Sequence, residues 1–192
     1  MSSDARMQTA VVVIHGAGTQ ENGRGSGSLV SHLRGALEAS HVVVSPAMPA
    51  PGNPTYRAWK AALDRVLQSV DGPFVLVGHS LGGSVLLKYL AEERPAPPVR
   101  ALFLVAAPYW GSTDWESDEF VLRPGFADSL PPNAAVFLYH SRDDDVVPPA
   151  HAERYGAEIP RAVLRLVDGR GHEFRGGLPE LVADLAAGEA SY

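Results

Sequence analysis

A serine between two glycines is the segment of this sequence best suited to chemistry. Residues 78–82 (GHSLG) directly follow the apolar run at 74–77, and residues 84–91 have apolar side chains at helical spacing. A serine where a strand turns sharply into a helix adopts a strained backbone, and its neighbours must lack a β-carbon for the chain to pack closely around it. This order of strand, turn and helix predicts that Ser80 is held out as a nucleophile.

A serine nucleophile requires a base, and the base requires an acid that holds its tautomer. The fifth predicted strand is followed by Asp143, Asp144 and Asp145, and the sixth by His172. Both loops follow the carboxyl ends of parallel strands, where open α/β sheets place their sites. Only one aspartate can reach the histidine: the spacing to the following Val-Val-Pro favours Asp144, Asp145 is the next choice, and the others are expected to be turn residues.

The turn after the first strand supplies a further element of such a site. Residues 15–18 (HGAG) form a glycine-flanked turn that can direct a backbone N–H at a substrate carbonyl oxygen, beside the N–H of Leu81. Each such donor typically lowers the barrier by about 3 kcal/mol. His15 is expected to shape this turn and His79 to pack beside the site, whereas the remaining histidines are expected to be structural or solvated: His32, His41, His140 and His151.

Aromatic side chains follow the fourth strand and are candidates for substrate contact. Tyr109, Trp110 and Trp115 lie in a segment, residues 106–132, that also contains Gly, Ser, Asp and Pro. This composition predicts a long loop with at most one helical turn, too short for a separate cap domain. The alternative is that these aromatic residues only fill the core.

The elements that position these residues alternate along the chain. Six short β-branched runs occur at residues 10–14, 41–45, 74–77, 101–105, 134–139 and 163–167, with helical patterns between them. Leu29, Leu33 and Leu37 share one helix face, and residues 178–185 form a last amphipathic helix. We therefore expect an α/β fold, a three-layer α/β/α sandwich with a six-stranded, mainly parallel sheet.

The composition narrows the function classes further. The 192 residues are 45% hydrophobic and 20% charged, which predicts one domain over 1–192 with residues 1–8 flexible. A net charge of −6 without a basic run argues against nucleic acid and anionic membranes as binding partners. No apolar segment is long enough to span a bilayer, so we expect a cytoplasmic protein. The sequence leaves the oligomeric state undetermined. The absence of cysteine excludes thiol catalysis. Three adjacent aspartates lack the spaced partners of a metal site, so neither metal nor cofactor is expected.

The chain resembles the α/β-hydrolases, and among them the small serine hydrolases related to retinoblastoma-binding protein 9. The matching residues span nearly the whole chain and are 15–16, Trp59, 78–83 (GHSLGG), 144–148 (DDVVP) and 171–172. The resemblance implies a minimal fold without a cap, and Ser80 as nucleophile, Asp144 as acid, His172 as base and the N–H groups of Ala17 and Leu81 as oxyanion hole. Members of the family often have a tryptophan soon after the first His-Gly, where this chain has residues 23–27 (GRGSG). Binding to the retinoblastoma protein is not implied, because the binding motif needs a cysteine and this chain has none.

Two other functions are suggested by parts of the sequence. A nucleotide-binding domain is disfavoured because Glu21 stands where a dinucleotide fingerprint has its third glycine. A hydrolase-like binding or interaction module that lacks activity remains open, since a fold does not by itself establish a function. The sequence thus predicts a serine hydrolase that cleaves a small ester, thioester or amide, a small-molecule acyl substrate, through an acyl-enzyme on Ser80.

Overall fold

The parallel sheet forms the centre of the molecule. The computed structural model describes residues 8–20, 24–95, 98–111 and 115–189. In these ranges the chain forms six strands, all parallel, in the order β2-β1-β3-β4-β5-β6, and five α-helices. The elements are β1 Thr9–Ile14, α1 Gly27–Leu37, β2 His41–Val44, α2 Tyr56–Gln68, β3 Phe74–His79, α3 Leu81–Glu92, β4 Val99–Val105, β5 Ala135–Ser141, α4 Ala150–Glu158, β6 Val163–Val167 and α5 Pro179–Glu189.

Helices cover the sheet on both faces, which explains why the central strands are apolar throughout. In β1, Val12 and Ile14 belong to the core on the face covered by α2, α3 and α4, whereas Val11 and Val13 belong to the core on the face covered by α1 and α5. All four side chains are fully buried. Successive side chains of a strand point to opposite faces, so a continuous apolar run supplies both cores at once.

The predicted fold class is confirmed, and the strand positions agree to within about two residues of the predicted ones. The sheet is wholly parallel rather than mainly parallel. Between β4 and β5 the described residues form a loop with one 3₁₀ turn, Phe126–Ser129, and no cap domain. Residues 1–7 of the segment predicted to be flexible lie outside the described residues, as does Glu21, the residue that argued against a nucleotide fingerprint.

The strand order brings the predicted site loops to one edge of the sheet. β1 pairs with β3 so that Ile14 is opposite Gly78, which places the turn after β1 against the turn that contains Ser80. β5 pairs with β6 so that Ser141 is opposite Val167, which places the aspartate loop beside the histidine loop. β4 separates the two pairs, so the loop after β6 must extend back across β4 to reach Ser80.

Candidate active site

The turn at Ser80 has the strained geometry that its flanking glycines predict. Ser80 adopts φ 51° and ψ −125°, in a region that favours glycine and costs a side-chain-bearing residue about 1–3 kcal/mol. A β-carbon on Gly78 would lie 2.5 Å from the Cα of Gly83, and one on Gly82 would overlap the carbonyl oxygen of Ile14. Close approach of backbone to backbone therefore requires glycine at both positions, and the turn holds the serine hydroxyl at the sheet edge.

The three side chains expected to form a catalytic triad lie in hydrogen-bond contact. The Nε2 atom of His172 is 3.1 Å from the Oγ of Ser80, and its Nδ1 atom is 2.9 Å from the nearer carboxylate oxygen of Asp144. The side chain of His172 is 12% exposed and that of Asp144 is fully buried. A proton can thus pass from the serine to an imidazole whose other nitrogen is held by a buried carboxylate.

Asp144 accepts more hydrogen bonds than the one from His172. Its Oδ1 accepts the backbone N–H groups of Val146 and Val147 at 2.9 and 2.8 Å, and its Oδ2 is 3.2 Å from Nε2 of His140. Burial by itself raises the pKa of Asp144, but the hydrogen bonds from His140, His172 and Val147 outweigh it and hold that pKa well below its usual range. The carboxylate is therefore ionised wherever the protein is folded near neutral pH.

His140 is a site residue that the sequence analysis missed. Its Nε2 lies 2.7 Å from the carbonyl oxygen of Val147 as well as near Asp144, and both neighbours are acceptors. That nitrogen must therefore carry the proton and donate it. His140 is fully buried at the end of β5, and its side chain contacts Asp144, four residues further along the chain in the following loop. His140 was expected to be structural or solvated, and it is buried; its contact with Asp144 was not expected, because that contact depends on how the loop turns.

The other two aspartates have different surroundings from Asp144. Asp143 accepts the N–H groups of Gly169 and Gly171 at 3.0 and 3.4 Å, and the hydroxyl of Ser141 also donates to it. It therefore ties the loop after β5 to the loop that carries His172, a larger role than that of a turn residue. Asp145 is exposed to solvent. Of the two aspartates left open by the residues alone, Asp144 is the one that contacts the histidine.

The turn after β1 presents backbone donors beside Ser80. Within the described residues, the backbone N–H groups of Ala17 and Leu81 have no protein acceptor. Both residues line the cavity above Ser80. A β-carbon on Gly16 would lie 3.0 Å from the Cβ of Ser80, so this glycine allows the turn to approach the serine closely. Two free N–H groups next to a nucleophile are the arrangement that stabilises a developing oxyanion.

Hydrogen bonds from neighbouring elements hold this turn in place. The Gln20 carboxamide donates to the carbonyl oxygens of Gly16 and Gly18 at 3.2 and 3.1 Å, and the N–H of Gly18 donates to Pro51 at 2.7 Å. His15 accepts the N–H of Met48 at 3.0 Å on Nε2 and contacts the Gly16 carbonyl through Nδ1. Burial lowers the pKa of His15, which keeps Nε2 free to accept. His15 thus shapes the turn.

The cavity over Ser80 has a volume of about 450 Å³ and a largely apolar wall. Trp110 and Trp115 both line it, with ring centroids 5.4 Å apart. Its other apolar lining residues are Ala17, Pro54, Leu81, Pro108, Phe120 and Val146. Tyr109 is engaged elsewhere, because its hydroxyl donates to Glu158 and the Arg154 guanidinium lies 3.9 Å from its ring centroid. Tyr109 is therefore left out of the proposed substrate site.

Across the part of the chain that the structure describes, no group of three or more His, Cys, Asp or Glu side chains is arranged so that it could hold a metal ion. No described helix is both long and apolar enough to cross a bilayer.

Comparison with known proteins places the chain among hydrolases. The family model described as serine hydrolase matches residues 11–173. Comparison with curated proteins found no match. Among solved structures, the ydeN gene product of B. subtilis superposes with a TM-score of 0.80 at 23% identity, over 95% of this chain and 100% of that one.

Two further solved structures have the same fold at lower identity. A serine hydrolase involved in carbazole degradation (CarC) gives a TM-score of 0.70 at 16% identity, over 96% of this chain and 92% of that one. A structure from a study of carboxylesterases of the thaumarchaeon Nitrososphaera gargenis gives a TM-score of 0.72 at 18% identity, over 100% of this chain and 94% of that one. Because the family model matches residues 11–173, the chain belongs to the serine hydrolase family, and the superposition of these structures over most of its length shows the α/β-hydrolase fold.

Proposed function

We propose that this protein is a carboxylesterase-like serine hydrolase that cleaves a small ester, thioester or amide through an acyl-enzyme on Ser80. The observation that supports this most directly is the unbroken contact from the serine hydroxyl through His172 to Asp144, at 3.1 and 2.9 Å. The buried, ionised carboxylate fixes the imidazole proton on Nδ1 and leaves Nε2 bare toward the serine. In this protonation state Ser80 can be activated.

In the proposed first half-reaction, Ser80 Oγ attacks the acyl carbon while its proton moves to Nε2 of His172. The carbonyl oxygen becomes an oxyanion that accepts the N–H groups of Ala17 and Leu81. Collapse of this tetrahedral intermediate breaks the bond to the leaving group, which takes the proton from His172. The acyl group is then bonded to Ser80 and the leaving group departs as an alcohol, thiol or amine.

In the second half-reaction a water molecule takes the place of the leaving group. His172 accepts a proton from the water as it attacks the acyl carbon, and the oxyanion occupies the same two N–H groups. When the intermediate collapses, Ser80 regains its proton from His172 and the carboxylic acid is released. The sequence of steps needs no metal and no organic cofactor.

The cavity favours an apolar acyl group of modest size. Trp110, Trp115, Phe120 and Val146 offer apolar surface near Ser80, and apolar surface removed from water contributes about 25 cal/mol per Å². Esters should react faster than matched amides, because an alcohol is a better leaving group than an amine.

A series of p-nitrophenyl esters with acyl chains from acetyl to decanoyl, run beside matched thioesters and amides, tests this proposal. We expect the wild type to turn over esters, and Ser80→Ala to lower kcat on the order of 10⁴- to 10⁶-fold. Ser69→Ala serves as the control, because Ser69 is exposed at the end of α2. Undiminished turnover by Ser80→Ala would contradict the mechanism, and a folded wild type that hydrolyses none of these substrates would favour a binding module.

A further inference from the structure

His79, the residue directly before Ser80, makes a hydrogen bond with each of its ring nitrogens. Its Nε2 lies 2.8 Å from the backbone carbonyl oxygen of His172, and its Nδ1 lies 2.7 Å from the hydroxyl of Ser26. A carbonyl oxygen only accepts, so the ring proton must be on Nε2. Nδ1 is then bare and accepts the proton of the Ser26 hydroxyl.

The hydroxyl of Ser26 links this histidine to the oxyanion turn. Because its proton is donated to His79, its lone pairs are free, and it accepts the backbone N–H of Gly16 at 2.9 Å. The bonds therefore run in one direction, from the Gly16 N–H through Ser26 and His79 to the carbonyl of His172. This run of hydrogen bonds, called the relay below, joins the turn carrying Ala17 to the backbone of the proposed base.

The position of Ser26 in its helix supports a role beyond local structure. Ser26 is the N-cap residue of α1, where a serine side chain usually accepts a backbone N–H of the first turn and stabilises the helix by about 1 kcal/mol. Here the side chain makes no such capping bond. The residue is 1% exposed, and its hydroxyl is directed to Gly16 and His79 instead.

The environment of His79 keeps its protonation state compatible with these bonds. Burial, together with the nearby His172 ring at a centroid distance of 5.1 Å, lowers the pKa of His79 to about 4. His79 therefore stays neutral while His172 gains and loses a proton. A second proton on His79 would put a donor on Nδ1 and break the bond from Ser26.

We propose that His79 and Ser26 are positioning residues that hold the oxyanion turn and the backbone of His172 in fixed positions relative to each other, on either side of Ser80. This proposal rests on the proposed function, in which those two groups act in the same step. Neither residue touches the reacting atoms. Their effect is on how often the N–H of Ala17 and the ring of His172 are both in place when the substrate is bound.

Such a role predicts a particular kinetic pattern. Ser26→Ala removes one buried oxygen and both of its bonds, whereas His79→Gln can keep a donor near the Nε2 position but loses the acceptor for Ser26. Each variant should lower kcat on the order of 10²-fold, the effect of displacing a reacting group by about 1 Å, with little change in KM. The double variant should be no slower than the single variants, because both changes break the same relay.

The test measures kcat and KM of these variants on the best ester of the series, with active sites counted by fluorophosphonate titration. Ser31→Ala is the matched control, since Ser31 is exposed on the same helix. Thermal unfolding identifies any variant that fails to fold, in which case the other variant provides the result. Unchanged kcat in a folded variant, or losses that multiply in the double variant, would refute the positioning role of the relay. The proposed function would still stand in that case, provided that wild-type Ser80 is labelled. A wild type that does not label at Ser80 would refute the proposed function instead.

Discussion

Replacing Asp144 by asparagine should remove the acceptor that holds His172 while preserving the fold of its loop. In the wild type, Oδ1 of Asp144 accepts the N–H groups of Val146 and Val147. An asparagine oxygen can keep those two bonds. The amide nitrogen then takes the place of Oδ2, which is 2.9 Å from Nδ1 of His172 and 3.2 Å from Nε2 of His140.

The amide nitrogen donates where the carboxylate oxygen nearer to His172 accepted. Only Oδ1, 3.1 Å from Nδ1 and already shared with two backbone N–H groups, can still accept from the ring. This favours the tautomer with the ring proton on Nε2, which faces Ser80 Oγ at 3.1 Å and can then no longer accept its proton. The same change in a serine protease triad lowers kcat about 10⁴-fold, and we expect a similar loss here. At 1.36 kcal/mol per tenfold, this loss corresponds to about 5.5 kcal/mol of activation free energy.

Stability should change far less than activity. His140 loses one acceptor but keeps the Val147 carbonyl at 2.7 Å, so we expect a cost of about 1–3 kcal/mol to the free energy of unfolding. The assay is steady-state ester hydrolysis at neutral pH with urea unfolding of the same samples. Asp145→Asn is the matched control, because Asp145 is exposed, and its kcat should equal that of the wild type. A larger loss in Asp145→Asn, or full activity in Asp144→Asn, would refute the reasoning.

Three further predictions concern the turn, the buried histidine and the cavity. Gly82→Ala places a β-carbon onto the Ile14 carbonyl and should destabilise the protein by about 3 kcal/mol or more. Gly35→Ala is exposed in α1, with nothing within 4 Å of the added β-carbon beyond its chain neighbours and its own helix backbone, and should stabilise the protein by about 0.5–1 kcal/mol. Urea unfolding that gives both changes the same sign contradicts this. The pKa of His79 is 6.5 in the unfolded chain and about 4 in the folded protein. The free energy of unfolding is therefore unaffected by this group above pH 6.5, and it decreases by about 3 kcal/mol as the pH falls to 4. Urea unfolding across this range should show a smaller pH dependence for His79→Gln, and an identical dependence would refute the assignment. Trp115→Ala should raise KM for long-chain esters and leave that for the acetyl ester unchanged, so an equal effect on both would exclude Trp115 from the acyl wall.

The sequence predicted those parts of the molecule that depend on local pattern. The strand, turn and helix around Ser80 could be identified because glycine spacing and apolar periodicity are properties of neighbouring residues. The meeting of the Asp144 and His172 loops followed from the general behaviour of parallel sheets. The spacing to Val147 and Pro148 favoured Asp144 but did not exclude Asp145, because adjacent loop residues differ only in which way the backbone directs their side chains.

The parts that were missed depend on contacts between residues distant in the chain. The hydrogen bond from Ser26 to His79 spans 53 residues and that from His79 to His172 spans 93, and neither leaves a local pattern. Tyr109 was predicted to contact substrate together with Trp110. The two residues are adjacent in the chain, but only Trp110 of the two lines the cavity, whereas the Tyr109 hydroxyl donates to Glu158.

Covalent trapping of the nucleophile tests the central proposal most directly. The protein would be treated with a fluorophosphonate, its intact mass measured, and the modified residue located by peptide mapping. The proposed mechanism predicts one adduct per chain on Ser80, none in Ser80→Ala, and a greatly slowed reaction in His172→Ala, because the histidine that lies 3.1 Å from the serine hydroxyl is then missing. Labelling at another residue, or equal labelling of the wild type and Ser80→Ala, would contradict it.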